Sequence, residues 1–294
     1  MKPKTKDSYI ERIHRVVGYL NQRAEATPTL QDLADIAGIS PFHFHRVYRA
    51  ITGETPAGTL RRLRLARATV MLKEPQKPIT EIAFDVGYES SQAFSKAFRE
   101  VTGFSASGLR QEPQKLEAVI RDLSSPPEQS ATKTLEVKLV SVEPFKVIAS
   151  RHVGPAKGVF KVYGDLLRWA EETDRGKAFR GIYGIPTDDP RGVPEEECRF
   201  DCCFNFGPTV QPDETHRAVF LGGGLYAVTR HLGPYEGLEG KYDFLYGPWL
   251  SSSGYALREN PSYNHYQADP DTLPPEKWET DIYVPIEKVV LKGK

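Results

Sequence analysis

The sequence predicts a multi-domain protein in which an all-α part is followed by an α+β part. A pattern of helix, turn and helix occurs twice before residue 110, and its turn glycines, Gly38 and Gly87, stand 49 positions apart. Behind a Ser- and Pro-rich segment at residues 124–130, apolar and polar residues alternate, as is typical of strands. The second part also repeats itself, since Arg-His-Val-Gly-Pro at 151–155 returns as Arg-His-Leu-Gly-Pro at 230–234.

The first part consists of predicted helices. Apolar residues at helical spacing over 10–20 indicate a scaffold helix. The two helix-turn-helix patterns cover 30–51 and 79–100, and in each a glycine allows the turn its positive φ. Ser40 and Ser90 are the expected caps of the second helix of each pattern. A long helix over 60–72 connects the patterns, and a weaker one covers 117–123.

That connecting helix carries four arginines, Arg61, Arg62, Arg64 and Arg67. They are consistent with a solvated face, with phosphate contacts, or with contacts to a neighbouring acidic surface. Charge also differs between the two parts of the chain. Residues 1–125 carry 19 Lys and Arg and 14 Asp and Glu, a net charge of +5, and the remainder carries −5. A basic front part favours a polyanionic partner there.

Composition excludes several protein classes. The N-terminus is basic but has no apolar run behind it, which argues against a signal peptide, and no stretch reaches the roughly 18 apolar residues of a membrane span. The three cysteines, Cys198, Cys202 and Cys203, are expected to be reduced strand residues rather than metal ligands. We therefore expect a cytoplasmic protein without a cofactor or a membrane partner.

The second part is predicted to be a duplicated strand-helix-strand-strand unit. Strands are expected over 135–142, 145–153, 181–185 and 198–206, with a helix over 158–169. In the second copy a helix ends near Trp249, and strands cover 263–267 and 279–286. Two such copies related by a pseudo-two-fold axis would form one sheet with two helices and a cleft along their junction. The predicted domains are residues 1–123 and 135–294, joined by a linker at 124–134.

Residues 8–110 resemble the double helix-turn-helix module of the AraC/XylS family of transcription regulators. The agreement lies in Gly-Ile-Ser at 38–40, Thr-Gly-Glu-Thr-Pro at 52–56, Gly-Tyr at 87–88 and Phe-Ser-Lys-Ala-Phe-Arg at 94–99. Residues 135–288 resemble the gyrase-inhibitor-like effector-binding domain, with its Asp-Ile-Tyr-Val-Pro-Ile closing strand. The order of the two domains resembles the Rob-like branch of the family. The resemblance implies a sequence-specific DNA-binding regulator that binds a small effector and contacts RNA polymerase.

Members of this family insert two recognition helices into successive major grooves of double-stranded DNA. By resemblance, the groove-facing residues here are Phe42, His45, Arg46, Ser91, Gln92, Ser95 and Lys96. Arg46 suits a guanine edge, Gln92 an adenine edge and Phe42 a thymine methyl group. The opposite helix faces are expected to be core, and His43 is expected to pack rather than to contact phosphate. Two recognition helices on one chain can span two grooves, which predicts a monomer on DNA.

The effector pocket is predicted from aromatic residues and carboxylates. Strand alternation places Glu279, Asp281 and Tyr283 on one face of the closing strand. Relatives carry a carboxylate near this strand at the floor of an aromatic pocket, which implies a cationic or amphipathic ligand here. The alternative without a binding function is that both acids lie at an exposed sheet edge. The aromatic residues expected to line the pocket are Tyr163, Trp169, Tyr226, Tyr246 and Trp249.

Two other functions compete with this hypothesis. Some gyrase-inhibitor-like domains are similar to hydrolases that use a pocket Glu, so the second part could be an enzyme. It could also sequester a drug, or dock a partner, without affecting DNA binding. The chain shows no Ser-His-Asp order, no phosphate-binding loop and no set of metal ligands, so we expect it not to be an enzyme.

Overall fold

The computed structural model describes residues 7–127, 134–173, 175–267 and 272–289. Its contacts divide the chain into two compact units. Among the described residues, the helical unit comprises 9–41 and 51–127, and the sheet unit comprises 7–8, 42–50, 134–173, 175–267 and 272–289. Residues 42–50, which belong to the first predicted helix-turn-helix, thus group with the second part of the chain. Residues 128–133 of the predicted linker lie outside the described residues.

Within the described residues, eight helices precede the first strand. Their bounds are α1 Asp7–Gln22, α2 Leu30–Ala37, α3 Pro41–Thr52, α4 Pro56–Met71, α5 Ile79–Asp85, α6 Ser91–Thr102, α7 Ala106–Arg110 and α8 Pro113–Ser124. The predicted helices are confirmed, although α4 begins four residues earlier than expected and α7 was not predicted. Within the described residues, no helix is long and apolar enough to cross a membrane.

The predicted turn chemistry is confirmed at both glycines and at one of the two serines. Gly38 has φ of 60° and Gly87 has φ of 87°. The Ser90 hydroxyl accepts a hydrogen bond from the backbone N–H of Ala93 and so caps α6. Ser40 does not act as a cap, since its buried hydroxyl has no hydrogen-bond partner among the described residues.

The core of the helical unit fixes α6 through one face. Phe94 and Phe98 are fully buried, together with Leu65 of α4 and Ile82 of α5. Two of the α4 arginines, Arg62 and Arg64, bond to other parts of the helical unit. Arg62 forms an ion pair of 2.7 Å with Glu54 and also donates to the carbonyl of Leu123. Arg64 donates to the carbonyls of Ala24 and Ala26.

The described part of the sheet unit contains nine strands and three further helices. The strands are β1 Lys138–Val142, β2 Phe145–Val153, β3 Gly181–Pro186, β4 Arg199–Asn205, β5 Arg217–Leu221, β6 Gly224–Leu232, β7 Tyr255–Leu257, β8 Tyr263–Tyr266 and β9 Glu279–Lys288. The helices are α9 Val159–Glu172, α10 Leu238–Phe244 and α11 Leu250–Ser253, with a π-helical segment Leu245–Trp249 between the last two. The cysteines are free, and Cys202 and Cys203 are buried in β4.

Strand order confirms the predicted duplication. The antiparallel order is β1-β6-β9-β8-β3-β4-β2-β5, with β7 pairing β9 outside this path. The first copy, β2-α9-β3-β4, and the second, β6-α10-β8-β9, therefore meet where β3 pairs with β8. Each copy is also preceded by a strand that pairs with the other copy, since β1 joins β6 and β5 joins β2. This exchange ties the two halves together at both edges of the sheet.

The repeated Arg-His-X-Gly-Pro segments have matching contacts in the two copies. His152 Nε2 lies 2.9 Å from the carbonyl oxygen of Pro155, and His231 Nε2 lies 2.8 Å from that of Pro234. The arginine before each histidine forms an ion pair with an aspartate, Arg151 with Asp201 and Arg230 with Asp281. In both copies the segment ends strand β2 or β6 and leads into a helix.

Candidate functional site

Helix α6 presents four polar side chains on the side away from its buried face. Phe94, Ala97 and Phe98 face the core, whereas Gln92, Ser95 and Lys96 are exposed and Ser91 is half-buried. The Lys96 side chain retains 79% of its accessible surface and approaches Glu100 only to 3.9 Å. A helix anchored by aromatic residues with a free polar face is the form in which a helix enters the major groove.

Helix α3 has the same amphipathic pattern, but its Arg46 is buried in the sheet unit. Only 3% of Arg46 is accessible to solvent. Its guanidinium forms an ion pair of 3.0 Å with Glu239 and donates to the carbonyl oxygen of Asp188 at 3.5 Å. The same group lies 3.9 Å from the centre of the Tyr242 ring. Arg46 thus has three acceptors of different kinds within the sheet unit.

The neighbours of Arg46 on α3 differ in their exposure to solvent. His43 is 1% exposed, as the packing prediction requires, and its Nδ1 lies 2.8 Å from the Tyr246 hydroxyl. Its Nε2 lies 2.9 Å from the carbonyl oxygen of Arg258. Burial lowers the pKa of His43 to about 4. His45 is partly buried and its pKa is also lowered by burial, whereas Phe42 remains 53% exposed.

Acidic residues and one bridging arginine surround the Arg46 site. Arg191 forms ion pairs with Asp189 at 3.0 Å, with Asp243 at 2.8 Å and with Glu239 at 3.1 Å. Burial alone would raise the pKa of Asp189, but the hydrogen bonds from Arg191 outweigh burial, so the pKa is lowered. The Asp189 carboxylate therefore stays charged beside the Arg191 and Arg46 guanidinium groups.

Aromatic side chains from the two copies meet beside the β3–β8 junction. We call Phe160, Tyr163, Tyr235, Tyr266 and Trp278 the junction cluster. The ring centres of Tyr235 and Trp278 are 4.6 Å apart, those of Tyr235 and Tyr266 are 5.2 Å apart, and Phe160 approaches Tyr235 at 6.3 Å. Phe160 is 53% exposed and the other four are half-buried. The cluster therefore combines aromatic faces with access to solvent.

A short chain of hydrogen bonds leads from the junction cluster toward Arg46. The side-chain amide of Asn264 donates to the Tyr266 hydroxyl at 3.3 Å. The Tyr242 hydroxyl donates to the amide oxygen of Asn264 at 2.7 Å. The Tyr242 ring in turn contacts the Arg46 guanidinium. Tyr242 and Asn264 are both buried, so this path is shielded from water.

The predicted carboxylates lie on the other face of the sheet. Tyr266 is paired across the strands with Thr280, whereas Asp281 is paired with His265. Because cross-strand partners share a face, Asp281 points away from the face that carries the junction cluster. Asp281 and Glu279 both bond to Arg230, at 2.7 and 2.8 Å. The structure confirms that these two acids share a face, but it does not bring them to Tyr163.

Comparison with known proteins decides the family. The profile of the GyrI-like small molecule binding domain matches residues 135–287, which is more than half of the chain, and that of a helix-turn-helix domain matches residues 33–112. The chain belongs to the GyrI-like family. Its other part is an AraC-type helix-turn-helix DNA-binding domain, so the molecule combines the two functions of a transcription regulator.

The relatives cover the two parts separately. The probable transcriptional regulator YgiV of Escherichia coli is 27% identical over 156 residues, covering 52% of this chain and 97% of that protein. The regulatory protein SoxS of Escherichia coli is 30% identical over 92 residues, covering 31% of this chain and 86% of that protein. Among solved structures, the C-terminal domain of EcmrR is 19% identical with a TM-score of 0.41, covering 53% of this chain and 99% of that one.

The remaining predicted pocket residues of the GyrI-like domain are dispersed. Tyr226 stacks edge-on against Tyr263 on the face of Asp281, and Trp169 donates to Asp213 at 2.5 Å. Tyr246 contacts His43 and Trp249 stacks on Tyr255. Of the seven residues predicted for the pocket, Tyr163 alone belongs to the junction cluster.

Sequence reasoning did not single out most of the junction cluster. Tyr235, Trp278 and Asn264 were not among the pocket candidates, and Tyr242 and Tyr266 were counted only among the many aromatic residues of this part of the chain. The repeat held a usable signal, since Tyr235 directly follows the second Gly-Pro, at the entrance to α10. In the described part of the chain, His, Cys, Asp and Glu do not form a group that could hold a metal ion.

Proposed function

We propose that this regulator reads DNA with the polar faces of α6 and α3 and binds a small aromatic or amphipathic molecule at the junction cluster. The observation that carries the proposal is the free face of α6, where Gln92, Ser95 and Lys96 are exposed while Phe94 and Phe98 hold the helix from behind. Gln92 has the donor and acceptor pair that matches the N6 and N7 edge of adenine.

The chemistry of the junction cluster supports the small-molecule part of the proposal. Aromatic rings offer a flat apolar ligand burial on both sides, and they attract a cation through their faces. Phe160 and Tyr235 come from different copies and are partly exposed, so their rings are accessible to a flat ligand. Asp281 and Glu279 are already paired with Arg230, so ligand binding at the junction cluster does not require either carboxylate.

Contact with RNA polymerase also belongs to the proposal, as the resemblance to the AraC/XylS family implies. The hydrolase alternative is not favoured, because the relatives that match each part of the chain are transcription regulators. A drug-sequestering role would leave DNA affinity independent of ligand.

The test uses the full-length protein and a DNA duplex that the protein itself enriches from a random-sequence pool. We expect Gln92→Ala to weaken binding to this duplex by about 1–3 kcal/mol and to relax base preference at one position. Lys96→Ala should weaken binding to all sequences and lower the salt dependence. Lys161→Ala removes a charge from exposed α9 and serves as the control.

Equal affinity of the parent, Gln92→Ala and Lys96→Ala for the enriched duplex would reject α6 as a reading helix. Failure to enrich any sequence would reject sequence-specific DNA recognition altogether. Product formation from candidate ligands, followed in the same samples, would restore the hydrolase alternative.

A further inference from the structure

We infer that α10 and the segment 188–191 form a docking surface for α3, and that this surface competes with DNA for Arg46. The inference rests on the proposed DNA-reading role of α3 and adds its regulation. Residues 42–50 and the described residues after 133 belong to the same sheet unit, so the contacts of α3 with this surface lie within one unit. The occupant of the surface is thus a segment of this chain.

The docked position gives the buried Arg46 guanidinium a carboxylate, a carbonyl oxygen and an aromatic ring. A guanidinium removed from water requires an opposite charge and hydrogen-bond acceptors, and here it obtains the Glu239 carboxylate, the Asp188 carbonyl and the Tyr242 ring. The acidic surroundings raise the pKa of Arg46 despite its burial, so the charge is retained. The site therefore offers the negative charge and the acceptors that a guanidinium requires.

Shape complementarity extends along α3. His43 bonds to the Tyr246 hydroxyl and to the carbonyl of Arg258. At the other end, a Cβ on Gly247 would come within 3.0 Å of the Ala50 carbonyl oxygen, so only glycine allows this approach without a shift. Directly after the segment 188–191, a Cβ on Gly192 would lie 3.2 Å from the His45 ring. Three contacts spread over two helical turns therefore accompany the Arg46 site.

Docking and DNA reading exclude each other. To reach the O6 and N7 atoms of guanine, the guanidinium of Arg46 must direct the same N–H groups outward that Glu239 and Asp188 now accept. Glu239 and Asp188 thus occupy the donors that a guanine edge would use. With α3 docked, α6 remains the free reading helix, so the chain binds DNA through half of its recognition surface.

The same surface connects to the proposed ligand site. Tyr242 contacts Arg46 and bonds to Asn264, which bonds to Tyr266 of the junction cluster. A ligand that moves the Tyr266 hydroxyl alters the hydrogen bonds that hold Tyr242 against Arg46. The ligand would then change the docking equilibrium by its difference in affinity for the two states.

The experiment weakens the surface without touching a DNA-reading residue. Glu239→Gln removes the ion pair with Arg46, and Glu236→Gln makes the same charge change at an exposed residue three positions earlier. In full-length protein, we expect Glu239→Gln to speed hydrogen exchange of the amides of residues 43–50 and to raise affinity for the enriched duplex about tenfold. Glu236→Gln should behave like the parent.

Tyr246→Phe provides a second variant, since it removes the hydroxyl that His43 contacts and leaves the net charge unchanged. Faster exchange at residues 43–50 without a gain in DNA affinity would overturn the competition with DNA. Unchanged exchange in both variants would overturn docking itself. If neither the parent nor any variant bound DNA, the proposed DNA-reading role would be rejected. The hydrogen-exchange rates of residues 43–50 would then decide on their own whether α3 docks.

Discussion

At the scale of single residues, Arg230 determines what Asp281 and Glu279 are able to bind. Its guanidinium donates to both oxygens of Asp281, at 2.7 and 2.8 Å, and to Glu279 at 2.8 Å. A cationic ligand would have to displace this guanidinium before it gained a carboxylate. Displacement costs the ion pair, so the net attraction of these acids for a cation is small.

We therefore expect aromatic residues rather than acids to set ligand affinity. With N-methylquinolinium and its neutral isostere 1-methylnaphthalene as probes, Tyr235→Ala should weaken the binding of both by about 1–2 kcal/mol, because both lose ring contact. Asp281→Asn should leave both affinities unchanged. Calorimetry measures the six dissociation constants of the two probes with the parent and the two variants. A loss confined to the cationic probe in Asp281→Asn would show that the carboxylates, and not the aromatic residues, bind the ligand.

The predicted residues differ in how far the sequence alone could place them. The face of α6 follows from local helical periodicity, so Gln92 and Lys96 were placed correctly on its exposed side. The same reasoning selected Arg46, but it could not predict the burial of Arg46. Its partners Asp188 and Glu239 lie 142 and 193 positions away, and local periodicity contains no information on such pairs.

At the scale of elements, the turn between α5 and α6 depends on Gly87. Its φ of 87° disfavours residues with a Cβ, and a Cβ here would lie 2.9 Å from the Cα atom of Glu25. The positive φ and the close approach of Glu25 therefore both disfavour any residue other than glycine at this position. Gly18 within α1 is the matched control, because a Cβ at this position meets nothing within 4 Å.

We expect Gly87→Ala to lower the free energy of unfolding of the helical unit by about 2 kcal/mol or more. Gly18→Ala should raise it by about 0.5–1 kcal/mol, because alanine favours the helix. Urea unfolding followed by circular dichroism compares the two variants with the parent. Stabilisation by Gly87→Ala would show that the turn does not require a left-handed residue.

Strands were harder to predict than helices. Long alternating segments such as β2 and β9 were found, whereas β5 and β7 were missed. β5 has five residues and β7 has three, and neither contains enough alternation to stand out from a loop. β5 forms through its pairing with β2, which lies about 70 positions earlier and belongs to the first copy. Such a strand is defined by its partner more than by its own sequence.

At the scale of the whole molecule, the grouping of α3 with the sheet unit joins the two proposed functions. The sequence predicted domains that divide cleanly at a linker, because pattern and composition change there. Contacts instead assign residues 42–50 to the second part of the chain. Because the segment proposed to read DNA also packs in the small-molecule-binding part, a ligand bound there is able to change DNA affinity under this proposal.

His43 makes this arrangement sensitive to pH. In the docked position its pKa is lowered to about 4, chiefly by burial and to a smaller extent by the nearby cation of Arg46, while the carbonyls of Arg258 and Asn260 act in the opposite direction. The Tyr246 hydroxyl is a further polar neighbour of His43, and His45 on the same helix also has a lowered pKa. A released α3 would return His43 to a pKa of about 6.5.

Docking should therefore be strongest above pH 6.5 and weaken as pH falls toward 4, because the released state binds the proton more tightly. Affinity for the enriched duplex should rise between pH 7 and pH 5.5 in the parent, and the rise should be smaller in His43→Gln. Histidine NMR, with the His43 signal assigned by that variant, should give a pKa near 4 in the parent. In Glu239→Gln the value should move toward about 6.5. A His43 signal that titrates near 6.5 in the parent would show that the helix is not docked in solution.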